Sequence, residues 1–314
     1  MSGRPSVLVL GGGPGAEREI SLASARGVGD ALREAGHEVH AETIGAVTLD
    51  QLRAMQGDVV FPVLHGSWGE GGPLQELLER DGRPFVGSRA GAARLAMDKV
   101  ATKMEGARLG MTVSRTCLLN RDDAACPLPL PVVVKPVHEG SSVGLMMCHV
   151  EQDWDRAHER VRSGEFGDRV FLIEPLIRGR ELTAGLLAGE NGTLRPLPLI
   201  EIVPAAGVYD YEAKYTRGDT KYLVGPDLPA GVADRVRGDA VRLANAIGVR
   251  HLCRVDFLLD EHGAAWLLEL NTMPGFTPTS LLPKAARHEG IEMPALVSGL
   301  VNAAMASTKI GTEV

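Results

Sequence analysis

Residues 251–275 run HLCRVDFLLDEHGAAWLLELNTMPG, two strand-like segments around a glycine, and no other stretch restricts the fold as much. Val255, Phe257 and Leu259 alternate with Arg254, Asp256 and Leu258, so one face of the first segment is apolar and the other carries charge. A two-residue turn at His262-Gly263 sets Asp256 opposite Glu269 and Arg254 opposite Asn271. Like charges directly opposite destabilise a sheet unless a cation sits between them. Two carboxylates and an amide carbonyl on one face therefore predict a hard-oxygen site suited to Mg²⁺. The arginine beside them suits a phosphate or a developing oxyanion. A cross-strand salt-bridge patch on a solvated face is the competing reading.

Three glycine-rich turns follow strand-like runs elsewhere. In VVVKPVHEGSSVG (132–144), Lys135 closes a β-branched run, and Gly140 and Gly144 permit close backbone approach to phosphate oxygens. The chain has no Gly-Lys dipeptide, which excludes a Walker A loop. The same stretch spells G-x-S-x-G around Ser142, the pattern of a hydrolase nucleophile elbow. An elbow needs a helix after the serine, whereas VGLMMC predicts a second strand. In VLHGSWGEGGPLQ (63–75), a strand ends in His65 and a glycine turn opens a helix; open α/β sheets bind ligands at such strand ends. In SVLVLGGGPGAEREISL (6–22), Gly11, Gly13 and Ala16 fit a dinucleotide fingerprint, and Glu17 stands where a helix begins. A carboxylate there is favoured by the helix dipole without any function.

Composition narrows the partners. With 33 basic and 40 acidic residues the net charge is -7, which gives no electrostatic reason to expect nucleic acid or an anionic membrane. The four cysteines, Cys117, Cys126, Cys148 and Cys253, show no C-x-x-C spacing, so a reduced cytoplasmic chain with all four in the core is expected. No apolar run approaches the length of a membrane span or a secretory leader.

Strands are expected at 6–10, 37–44 and 58–64, with a helix at 17–35, the βαβ pattern of a parallel sheet. A turn-rich segment, 80–91, separates this unit from a helix at 98–109. The strands TVSRTCLL (112–119), LPVVVKP, VGLMMCHV and RVFLIEPLI, with a helix at 151–163, predict an antiparallel α+β unit. Further strands lie at 181–189 and 194–203. Val232, Val236, Ala240, Leu243, Ala244 and Ile247 then form one apolar helix face, and a closing helix is expected near 293–306. The segment 204–226, with YDYEAKYTRGDTKY, is long for a connection; its four tyrosines and three basic residues favour a lid over an anionic ligand.

Together, GAEREISL, LHGSWGEGG, MDK, KPVHEGSSVG, IEPLIRGRELTAGLL, YDYEAKY, RVDF and LELNTMPGFTPTSLLP resemble the D-alanine–D-alanine ligases of the ATP-grasp superfamily, in the family's order. The resemblance implies an α/β and α+β chain: an ATP-grasp fold with an N-terminal parallel-sheet, Rossmann-like domain. Its divisions would be 1–93, a central domain at 94–178 and a C-terminal domain at 179–314. It implies that Lys99 and Lys135 contact ATP phosphates, Glu174 and the backbone of Leu176 the adenine, and Glu181 the ribose. Asp256, Glu269 and Asn271 would hold two Mg²⁺ ions, with Mn²⁺ able to substitute. Lys214 and Tyr215 would lie on the closing loop, and Tyr215 would join Glu17 and Ser141 in a hydrogen-bonded triad. Arg254 and the Gly275 N–H would receive the oxyanion, Glu17 and His65 the first D-alanine, and Ser280 and the Leu281 N–H the second carboxylate. The implied reaction forms D-alanyl-D-alanine through an acyl phosphate for peptidoglycan precursors, in a homodimer, with tyrosine at 215 favouring the dipeptide over D-alanyl-D-lactate. A ligase for another amino-acid or hydroxy-acid pair, a serine hydrolase using Ser142 and a dinucleotide-binding module are the alternatives. Gly71 departs from the family's usual aspartate, and Met273 from serine or leucine.

Overall fold

The computed structural model describes residues 4–123, 125–189, 191–204 and 220–310. Strands and helices alternate at the start: β1 (Val7–Gly12), α1 (Arg18–Glu34), β2 (Val39–Ile44), α2 (Leu49–Arg53), β3 (Val59–Pro62), α3 (Gly66–Gly69) and α4 (Pro73–Asp81). The three strands form a parallel sheet in the order β2-β1-β3. Every residue of β1 is buried, which is why an unbroken apolar run rather than an alternating one marks it. The glycines that end it serve packing. A Cβ on Gly11 would lie 2.6 Å from the Cβ of Ala25 on α1, and Gly12 takes a φ of +102° beside the Ile44 carbonyl. Arg18 Nη1 fills the space over that turn, donating to the carbonyls of Gly13 at 2.9 Å and Ile44 at 3.0 Å.

Helices α5 (Ala90–Met97) and α6 (Lys99–Arg108) lead out of this unit. They part at Asp98, whose Oδ1 caps α6 by accepting the N–H groups of Val100 at 2.8 Å and Ala101 at 3.0 Å. The central unit comprises β4 (Cys117–Leu118), β5 (Val132–Pro136), β6 (Met146–Cys148), α7 (Glu151–Arg162) and β7 (Phe171–Pro175), an antiparallel sheet ordered β4-β7-β5-β6. Trp154, Ala157 and Val161 of α7 cover Val132, Val134, Phe171 and Ile173.

The last unit holds β8 (Arg180–Ala188), β9 (Leu194–Pro196), β10 (Ile200–Val203), β11 (Lys221–Val224), α8 (Val232–Ile247), β12 (Leu252–Leu259), β13 (Ala265–Asn271), α9 (Leu281–His288) and α10 (Met293–Ile310). Its antiparallel sheet runs β11-β10-β8-β12-β13, with β9 on β8. The six apolar positions read from α8 are its buried residues, and they pack on Leu182, Ala184, Val255 and Phe257. At about 1.5–3 kcal/mol for each large aliphatic chain, that stripe fixes the helix to one face. The opposite face continues through Leu187, Leu252, Leu282 and Ala285 into Val7, Val28 and Phe61 of the first sheet, sealed by Leu300 and Val301 of α10. One apolar core therefore joins the first sheet to the last.

The structure departs from expectation at several points. The hairpin does not turn in two residues. Asp260 N–H donates to the Ala264 carbonyl and Gly263 N–H to the Asp260 carbonyl, a three-residue loop with Gly263 at φ +81°. That loop alone would shift the pairing by one. A bulge at Leu268 restores it, so Asp256 still faces Glu269 and Arg254 still faces Asn271. Strand 112–119 shrinks to Cys117–Leu118, and α5 begins inside the segment expected to be all turns. Cys148 and Cys253 are buried, but Cys117 and Cys126 only partly so, and all four are free. The 204–226 segment contains β11; residues 205–219, with Lys214 and Tyr215, lie outside the described residues.

Candidate active site

A cavity of about 680 Å³ opens between the central sheet and the C-terminal sheet. Lys99, Lys135, Glu174, Leu176, Glu181, Asp256 and Glu269, seven of the residues singled out from sequence, line it. Val133, Met147, Leu258 and Leu267 supply apolar wall. Lys135 and Glu174 arrive from neighbouring strands β5 and β7, whereas Lys99 is the first residue of α6, delivered by the Asp98 cap. Lys99 Nζ donates to the Glu139 carbonyl at 2.5 Å and stands 3.4 Å from Glu269 Oε2.

Glu174 is bonded by three side chains. Oε1 accepts from Lys103 Nζ and, at 2.9 Å, from Thr116 Oγ1; Oε2 meets Lys135 Nζ at 2.9 Å. Burial pushes the carboxyl up, but the Lys135 and Lys103 ammoniums outweigh it and hold the pKa at about 2. Lys103 is pulled down to about 8 by burial and then by the Lys135 charge, against the attraction of Glu174, and stays protonated at neutral pH. The N–H of Leu176 donates to the Pro131 carbonyl at 3.0 Å.

On the hairpin, Arg254 grips Asp256 with Nε at 2.9 Å from Oδ1 and Nη2 at 2.8 Å from Oδ2. Thr183, paired with Asp256 across β8 and β12, donates to Oδ1 at 2.6 Å. Asn271 Oδ1 accepts the Met273 N–H at 2.8 Å. The two facing carboxylates thus each have a side-chain cation, Arg254 for Asp256 and Lys99 for Glu269. Among the described residues no group of three or more His, Cys, Asp or Glu side chains forms a metal cage. Two carboxylates and one amide oxygen nonetheless fit a cation that takes its remaining ligands from water and phosphate.

A second cluster lies beside the first and meets the cavity at Ser142. Ser141 Oγ donates to Glu17 Oε1, joining the 140–144 turn to the start of α1. Ser141 and Ser142 hold φ of 52° and 58°, a left-handed backbone that non-glycine residues adopt rarely and that clusters at functional sites. Their turn leads into β6, not a helix, so no nucleophile elbow forms. His65 is buried, its Nε2 without a hydrogen-bond partner among the described residues. Burial, with the Arg254 charge, holds its pKa at about 4, so it is neutral at neutral pH. Ser280 ends the approach to α9, its Oγ accepting from Thr277 N–H at 2.9 Å rather than capping its own helix. The first N–H groups of α9, that of Leu281 included, have no partner within their own helix. Gly275 is held tight, because a Cβ there would lie 2.9 Å from Ser280 Oγ. Arg254 links the clusters: it holds Asp256 on the cavity wall, and its charge bears on His65 and Glu70.

Sequence reasoning missed Lys103, Thr183 and Glu70. Glu70 is 4% exposed; Oε1 accepts the Gly66 N–H at 3.2 Å and Oε2 the Met273 N–H at 3.3 Å. It therefore stitches the histidine loop to the loop carrying Gly275. Lys103 was legible as the i+4 neighbour of Lys99 on one helix face. Gly71 is required locally, since a Cβ there would meet the Ser67 carbonyl at 2.3 Å. Met273 reaches Gly87, whose Cβ would lie 2.9 Å from its Cε.

Two antiparallel sheets enclosing a lysine- and carboxylate-lined cavity, set beside a parallel α/β sheet, define an ATP-grasp enzyme. The solved D-alanine–D-alanine ligase from Bacillus anthracis, complexed with ATP, superposes with a TM-score of 0.83 at 28% identity, covering 99% of this chain and all of its own. The VanG D-Ala:D-Ser ligase from Enterococcus faecalis superposes at 0.81 with 26% identity, covering 96% of this chain and 99% of its own. The D-alanine–D-alanine ligase of Pelotomaculum thermopropionicum is 39% identical over 309 residues, 95% of this chain and 96% of that protein. The family model for the D-ala D-ala ligase C-terminus matches residues 117–302. The chain belongs to the D-alanine–D-alanine ligase family.

Proposed function

We propose that the chain joins two D-alanines to D-alanyl-D-alanine at the expense of ATP, releasing ADP and phosphate. The observation that carries this is the family relationship along nearly the whole chain, with seven of the residues expected at the site lining one cavity. The carboxylate of the first D-alanine attacks the γ-phosphorus of ATP and ADP leaves. The amine of the second D-alanine then attacks the acyl carbon and displaces phosphate.

In this reading, Lys99 and Lys135 neutralise charge on the phosphates, Glu174 and the Leu176 backbone meet the adenine, and Glu181 holds the ribose. Asp256, Glu269 and Asn271 would hold two Mg²⁺ ions, replaceable by Mn²⁺, which supply charge neutralisation at the transferring phosphoryl group. Glu17 takes the first ammonium, and the orphaned His65 Nε2 supports a polar ligand there. Arg254 and the Gly275 N–H receive the oxyanion. Ser280 and the Leu281 N–H at the start of α9 take the second carboxylate. Lys214 and Tyr215, outside the described residues, would lie on the closing loop that excludes water from the acyl phosphate, and Tyr215 would join Glu17 and Ser141 in a hydrogen-bonded triad.

No described helix is long and apolar enough to cross a membrane; a cytoplasmic homodimer supplying peptidoglycan precursors completes the reading. Light scattering tests the dimer. Phosphate release with ATP and Mg²⁺ tests the reaction, comparing D-Ala, L-Ala, D-Ser and D-Ala with D-lactate. Stimulation by D-Ala alone is expected, and its absence overturns the assignment.

A further inference from the structure

Glu174 carries more positive charge around it than one carboxylate requires. Lys103 and Lys135 both bond to it, on different oxygens. A buried ion pair contributes little net stability once both charges lose their water, so a second buried lysine on one carboxylate is not explained by folding. The two lysines are also unequal. Lys103 is 4% exposed, anchored a second time by Ser114 Oγ at 2.8 Å, and does not line the cavity. Lys135 does line it, and the ammonium bonds only Glu174 among the described residues. An incoming nucleotide can therefore reach Lys135 and not Lys103.

We propose that Lys103 is a positioning residue that keeps Glu174 in place while Lys135 leaves it for the nucleotide's phosphates. The Oε2 position that Lys135 vacates then accepts an N–H from the base. This rests on the ATP reading above and deepens it. Nucleotide binding becomes an exchange of partners: the ammonium moves from carboxylate to phosphate, and a base amine replaces it on the carboxylate. Lys103 and Thr116 hold Oε1 throughout, so Glu174 is never a buried charge without a partner. The fixed carboxylate favours a base with an amine at that edge, as in adenine, over one with a carbonyl, as in guanine, whose oxygen would face it unpaired. Without Lys103, departure of Lys135 would strand Glu174 with one hydroxyl, and the exchange would be opposed.

The test is Lys103→Met, with affinity for a non-hydrolysable ATP analogue measured by calorimetry beside steady-state kinetics. The analogue's Kd and the KM for ATP should each rise about ten- to a hundredfold, while kcat at saturating ATP and the KM for D-alanine stay within about threefold. The preference for ATP over GTP should shrink. Adding Glu174→Gln removes the charge that traps Lys135, so the double variant should bind the analogue more tightly than Lys103→Met alone. A circular-dichroism melt establishes that both variants fold; should the single variant not fold, the double variant, whose one uncompensated ammonium, Lys135, faces the cavity and whose glutamine oxygen can still accept the base amine, must bind the analogue within about tenfold of the unmodified chain. Unchanged ATP affinity in Lys103→Met, or a double variant weaker than the single one, overturns the proposal. Failure of the unmodified chain to bind the analogue overturns the functional reading as well.

Discussion

Replacing Glu70 with glutamine removes a charge from a buried site without changing its shape, and the consequence shows in the pH dependence of stability. Burial, then the nearby Glu17 charge, raises the Glu70 carboxyl from 4.5 to about 8. A carboxyl whose folded pKa lies above its unfolded value contributes stability fully below pH 4.5. That contribution is lost as pH rises through 8. A shift of this size is worth about 5 kcal/mol between the two ends, or on the order of 7 °C in Tm for a chain of this length. Two backbone donors, Gly66 and Met273, face the carboxylate oxygens. Glutamine can accept only one of them; with its oxygen toward Gly66, the Met273 N–H keeps its shorter bond to Asn271 Oδ1 at 2.8 Å, so the loss is about 1 kcal/mol. The Glu70→Gln chain should thus be less stable than the parent near pH 4.5, with the gap closing or reversing near pH 8. Tm measured from pH 4.5 to 8.5 for both chains tests this. Parallel curves would refute the claim that Glu70 is held as a strained buried acid between the two loops.

Further outcomes follow from the same geometry. Glu174, held at about 2 in the fold, contributes stability present above pH 4.5 and lost as pH falls toward 2; Glu174→Gln should flatten acid unfolding in that window by about 3 kcal/mol. Leu243→Ala, at the fully buried centre of the α8 stripe, should cost about 3 kcal/mol in denaturant unfolding. Gly71→Ala places a methyl against the Ser67 carbonyl and should cost about 2 kcal/mol while raising the KM for D-alanine more than that for ATP. Glu269→Gln should lower phosphate release at least about 100-fold, with Tm shifted by no more than about 2 °C.

The elements were legible wherever one physical signal dominated. The α8 stripe at 3.6-residue spacing and the buried run of β1 lie where the pattern puts them. The Asp256–Glu269 register was right for an incomplete reason, because a longer loop and the bulge at Leu268 cancel. Neither leaves a mark in hydrophobic alternation. Short elements such as α3 and the two-residue β4 depend on tertiary packing rather than on their own residues. Lys103 and Glu70 were passed over because each looks like an ordinary surface charge until burial is known. Their meaning comes from partners 71 and about 200 residues away, Glu174 and Met273. Glu17 shows the opposite case: the glycines before it suggested a nucleotide, whereas in the fold they pack α1 and leave the glutamate bonded to Ser141.

The most direct measurement of the central claim follows oxygen. D-Alanine labelled with ¹⁸O in its carboxylate, incubated with ATP and the chain, should release phosphate that carries one labelled oxygen, in step with the dipeptide formed. Such transfer requires attack of the carboxylate on the γ-phosphoryl group, the step assigned to the lysine- and carboxylate-lined cavity. Unlabelled phosphate released alongside dipeptide would contradict the account.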